Sequence, residues 1–70
     1  MKKIYSINVP GKHGYSFAVE CDAEFEEDAI DMADEAGLFD DPEDAEYAIA
    51  EDITGSEYGI NAFKSCTYKI

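Results

Sequence analysis

No lysine or arginine occurs between Glu20 and Glu57, although all seventeen Asp and Glu residues of the chain lie in that interval. The five lysines, Lys2, Lys3, Lys12, Lys64 and Lys69, all lie outside it. The middle of the chain therefore carries −17 and its two ends +5, for a formal net charge of −12. Such a balance disfavours direct binding to nucleic acid or to an anionic membrane. Other absences narrow the reading further. No apolar run approaches a membrane span, and no apolar signal segment follows Met1-Lys2-Lys3, so a soluble cytoplasmic protein is expected. Cys21 and Cys66 form no C-x-x-C pair and read as core thiols. The single histidine, His13, sits in a glycine-flanked turn. There is no P-loop, nucleophile elbow, dinucleotide fingerprint or His-x-x-x-His pair, so neither an enzyme nor a cofactor is expected.

What is present is enough to fold. Apolar residues make up 46% of the 70 residues and include five Tyr and four Phe. A domain of this size buries only roughly 60% of the surface its unfolded chain exposes, which favours a function carried on the outside. Residues 3–9 alternate with Tyr5, Ile7 and Val9 on one face, and residues 15–21 alternate with Tyr15, Phe17, Val19 and Cys21 on one face. Pro10 to Gly14 between them is turn chemistry, so the two runs predict a hairpin. The period then changes. Phe25, Ala29, Met32, Ala33 and Ala36 recur at helical spacing from about Ala23, with Asp22 as N-cap and Gly37 as the stop. Leu38 and Phe39 plug the core. A second helix is expected from Asp41-Pro42, with Asp41 as N-cap and Pro42 at N1, to about Thr54-Gly55, with Ala45, Ala48, Ile49 and Ile53 inward. Residues Ile60 to Ile70 read as a last strand. The expectation is a single α+β domain over 1–70, ordered ββααβ, with a three-stranded antiparallel sheet and two helices on one face.

The candidate site is the acidic surface. Glu24, Glu27, Asp28, Asp31, Asp34 and Glu35 fall on the solvent side of the first expected helix, and Glu43, Asp44, Glu46, Glu51 and Asp52 on that of the second. Like charges one turn apart each destabilise a helix by roughly 0.2–0.5 kcal/mol, which interspersed lysine would relieve. Carboxylates on adjacent turns are spaced on the scale of phosphates along a nucleic-acid strand. These residues therefore suggest a surface that imitates a nucleic-acid backbone. Tyr47 and Tyr58, flanked by Glu46 and Glu57, are candidate contact aromatics. Asp40-Asp41-Pro42-Glu43-Asp44 has the composition of a hard-cation site but lacks calcium-loop spacing, so no metal site is expected.

The stretch Tyr15-Ser-Phe-Ala-Val-Glu-Cys-Asp-Ala, followed by Glu26-Glu-Asp-Ala-Ile-Asp-Met-Ala33, resembles the strand-into-helix pattern of the DpnD/PcfM-like group of phage and conjugative-element proteins. The resemblance covers about a quarter of the chain, brings no catalytic residue with it, and implies a mobile-element origin in a bacterial host. In type, the small, acidic, non-catalytic α+β chain is also similar to anti-CRISPR and anti-restriction inhibitors that act as DNA mimics. That similarity implies a partner with a basic nucleic-acid groove, a CRISPR effector or restriction enzyme, bound by a monomer or homodimer. The alternative is an accessory or adaptor protein that meets a protein partner through its sheet face or an edge strand.

Overall fold

The structure, a computed structural model, describes residues 2–11, 16–56 and 67–70. Its elements are β1 (Lys3–Asn8), β2 (Ser16–Cys21), α1 (Glu26–Glu35), α2 (Asp44–Tyr47), β3 (Ile49–Asp52) and β4 (Thr67–Lys69). The α+β class and the opening hairpin agree with the sequence reading. The sheet differs: among the described residues it has four strands in the order β3-β1-β2-β4 and is mixed, not three-stranded and antiparallel.

β1 and β2 pair antiparallel with Tyr5 opposite Val19 and Ile7 opposite Phe17. The period of two thus places Tyr5, Ile7, Phe17, Val19 and Cys21 on one face. With Ala23, Ala29 and Ala33 they form the core, against which Met32, Leu38, Phe39, Ala48 and Ala50 pack. Phe17 meets Phe39 edge-on at 5.5 Å between ring centroids and Tyr68 at 5.8 Å, contacts worth about 0.5–1.5 kcal/mol each beyond burial. The buried Tyr5 hydroxyl donates to the Ala23 carbonyl at 2.9 Å, and burial pushes its pKa up. Cys21 is a buried free thiol.

α1 starts later than expected. Its N-cap is Phe25, in extended conformation and without a side-chain cap bond, so Asp22 does not cap it. Phe25 leaves the apolar stripe and is 64% exposed. At the other end Gly37 adopts φ +73°. The Gly37 N–H donates to the Asp34 carbonyl and the Leu38 N–H to the Ala33 carbonyl, both at 3.0 Å. This is a Schellman closure, and it sends Leu38 back to the core.

The second helix is cut short. α2 has four residues, and at Ala48 the backbone becomes extended. β3 then pairs antiparallel with β1, Ala50 opposite Ile7 and Asp52 opposite Tyr5. Ala48 and Ala50 point to the core while Ile49, expected inside, is 60% exposed. Ile53 is buried as expected. β3 ends because Thr54 takes over the ladder. The Ile53 N–H donates to the Ile4 carbonyl at 2.8 Å, but the Ile4 N–H donates to Thr54 Oγ1 at 2.9 Å. β4 runs parallel to β2, with Val19 opposite Tyr68. The remainder of the expected last strand, including Cys66, lies outside the described residues, as do His13 and Tyr58. Among the described residues no helix is long and apolar enough to cross a membrane.

Candidate acidic interface

α1 covers the sheet with Ala29 and Ala33 and turns its carboxylates outward. Glu27, Asp28, Asp31, Asp34 and Glu35 are all exposed, as is Glu24 in the bend before the helix. Glu24 is thus not a helix residue and makes no helical pair with Asp28. A groove of about 420 Å³ runs beside α1, lined by Asp22, Glu24, Asp28, Asp31 and Glu35 together with Ala23 and Met32. Glu27 and Asp34 belong to the same helix but do not line it.

The electrostatics of α1 are one-sided. Glu26, Glu27 and Asp28 occupy its first turn, where the helix dipole favours negative charge. No basic residue occupies the last turn, where Asp34 and Glu35 oppose the dipole instead. Asp31 is the centre of the repulsion, with Glu27 and Asp28 one turn before it and Asp34 and Glu35 one turn after.

The second group of candidates is divided. Glu43, Glu46 and Tyr47 are exposed around α2, Tyr47 at 62%. Asp44 is buried, contrary to its expected place on a solvent face. Its carboxylate accepts the Asp41 N–H at 3.2 Å, and the Asp44 N–H donates to the Asp41 carbonyl at 3.1 Å. Asp44 thus closes the turn that leads into α2, the reverse of the expected capping by Asp41. Glu51 and Asp52 are exposed but lie in strand β3, not on a helix, and alternation sends them to opposite faces of the sheet.

Asp52 has the most defined surroundings of these acids. Its carboxylate accepts the Thr54 N–H at 2.9 Å, closing an Asx turn. The Thr54 hydroxyl and that N–H hold its carboxyl below the usual carboxylate range, with Lys3 contributing from 3.9 Å. We assign the single Thr54 hydroxyl proton to Asp52. The Ile4 carbonyl, 3.4 Å from that hydroxyl, already accepts the Ile53 N–H at 2.8 Å.

Among the described residues no three His, Cys, Asp or Glu side chains are placed to hold one metal ion. Two exposed apolar residues escape the sequence reading, Phe25 and Ile49. Phe25 is in helical phase with Ala29 and Ala33, and only its position ahead of the first turn turns it outward. Ile49 betrays itself by parity: Ala48 and Ala50 flank it at strand spacing. The chain matches no protein-family model, no curated protein and no solved structure.

Proposed function

We propose that this chain is a non-enzymatic inhibitor of phage or mobile-element origin that occupies the basic nucleic-acid groove of a CRISPR effector or restriction enzyme. One observation carries the reading: the carboxylates of α1 are exposed, and among the described residues no cation pairs with them, even where they oppose the helix they stand on. Asp31 has four acidic neighbours one turn away, and Asp34 and Glu35 sit at the unfavourable end of the dipole. Each repulsive pair costs about 0.2–0.5 kcal/mol, and each misplaced terminal charge about 0.3–1 kcal/mol. A face kept only for solubility has cheaper solutions with mixed charge. A face that pairs with Lys and Arg of a partner does not, because any lysine on it would repel the target. Charge of this density also steers encounter with a basic surface.

The test is capture of targets from a bacterial lysate by the wild-type protein and by a variant with Asp31, Asp34 and Glu35 changed to Lys. The wild type is expected to retain a nucleic-acid enzyme at low salt and release it to added DNA, and the variant to retain none while keeping its circular dichroism spectrum. Unchanged capture by the folded variant removes α1 from the mechanism.

A second reading, an accessory protein that meets its partner through the sheet, draws support from Tyr47 and Ile49, two large apolar side chains exposed where α2 passes into β3. Contact of that kind persists at high salt, whereas pairing through carboxylates weakens steeply.

A further inference from the structure

β3 is an edge strand among the described residues, and its geometry fixes which backbone groups it offers. The Ile53 N–H donates to the Ile4 carbonyl, so Ile53 is turned towards β1. Peptide groups alternate along an antiparallel pair. Those of Ile49 and Glu51 therefore also face β1, and the N–H and C=O groups of Ala50 and Asp52 face the open side. The side chains alternate across the sheet as well. Ala50 and Asp52 lie on the α1 face, opposite Ile7 and Tyr5, whereas Ile49 and Glu51 lie together on the other face. On that face Ile49, Glu51, Ser6, Asn8 and Ser16 line a depression of about 210 Å³.

We propose that β3 accepts an extended segment of a partner protein as a fifth strand, and that this segment carries an apolar residue beside Ile49 and a lysine or arginine beside Glu51. The inference rests on the second reading above and supplies its strand and its chemistry. The backbone groups of Ala50 and Asp52 provide the pairing, and the exposed Ile49 provides an apolar neighbour for an alternate side chain of the incoming strand. The charge of the surroundings selects a basic segment. Glu51 and Asp52 of the strand are exposed, and Lys3, 3.9 Å from Asp52, is ion-paired with it. A second copy of the chain is a poor occupant. Pairing two β3 strands with Ala50 opposite Asp52 sets Glu51 directly against its own copy, between molecules of charge −12 each.

The probe is a blocked peptide alternating threonine with valine and lysine, compared with the same peptide carrying glutamate for lysine. The readout is amide hydrogen exchange of the full chain. The lysine peptide is expected to slow exchange at Ala50 and Asp52 about tenfold, and the glutamate peptide to leave both unchanged. Ala50→Pro removes one outward donor and leaves the β1 ladder intact, so it should abolish that protection with little change in thermal midpoint. Should that variant unfold, Ile49→Ser tests the same edge through its side chain and should weaken binding several-fold. Protection confined to α1 overturns both the β3 assignment and the sheet reading. Protection at β4 overturns the β3 assignment alone. Equal response to both peptides, or a homodimer without peptide by sedimentation, overturns the selection of a basic strand.

Discussion

Helix α1 and the segment from Asp44 to Ile53 are made of similar material. Both are free of lysine, both are rich in carboxylates, and both turn alanines inward. Only α1 is helical throughout. In α1 the inward residues Ala29, Met32 and Ala33 are spaced by three and one, and Gly37 closes the last turn. In the other segment Ala48 and Ala50 are spaced by two, with exposed Ile49 between them. The open side of β1 offers a ladder, and two small side chains let α1 lie close over the new strand. Both regions are strongly acidic, −6 in α1 and −4 over Asp44 to Ile53, ten residues each, and both are rich in alanine. The period of the inward residues, together with a strand waiting for a neighbour, decides between them.

Proline distinguishes strand from helix in the second region most directly. Glu51→Pro removes an N–H that faces β1 and leaves the Ser6 carbonyl without its ladder partner, so urea unfolding should show a loss of about 2–3 kcal/mol. Ala50→Pro, one residue away, should cost far less. Similar large losses for both would indicate a helix across 48–53 and overturn the strand. Next in size is Asp44, the one buried acid of the short helix. Asp44→Ala deprives the Asp41 N–H of its acceptor and should cost about 1–2 kcal/mol, whereas truncating the exposed Glu43 beside it should be near neutral.

The prediction for α1 has the opposite sign. Asp31→Ala removes four repulsive neighbours and adds a better helix former, so it should raise stability by about 1 kcal/mol in the same unfolding assay. No gain would mean that the acidic face is not under strain and that its charge needs no basic partner to explain it. The smallest effect concerns pH. The lowered pKa of Asp52 means that its carboxylate favours the folded state above the ordinary carboxylate range, and that this contribution fades as pH falls through the lowered value. Thr54→Val deletes the first cause of the depression. An NMR titration of Asp52 in that variant should place it closer to 3.8, its ordinary value.

The hairpin, the core residues Tyr5, Ile7, Phe17 and Val19, the stop at Gly37 and the plug of Leu38 and Phe39 were legible in the sequence. Each depends on a local period or a local dihedral requirement. So did the exposure of α1's carboxylates and of Tyr47. What the chain hides is β3, because its identity depends on β1 having an open side. An acidic run with alanines at helical spacing satisfies the helical template equally well until that side is considered. The inward turn of Asp44 is hidden for a related reason: its acceptor role belongs to a turn that exists only once α2 is short. Glu51 and Asp52 consequently belong to the sheet, and the acidic candidates form two surfaces instead of one.

β4 lies beside β2 in parallel, joining Ala18 to Thr67 across the sheet from β3. No tight turn makes such a pair, and the loop it closes spans most of the chain. The hairpin, α1 and β3 can assemble from contacts nearer in sequence, and this last pairing must wait for them. Folding should therefore end with the docking of residues 67–70, where the Ile70 N–H meets the Glu20 carbonyl and Lys2 reaches the Ile70 carbonyl. Until that docking, the acidic surface of α1 stands over a sheet that still lacks its parallel strand.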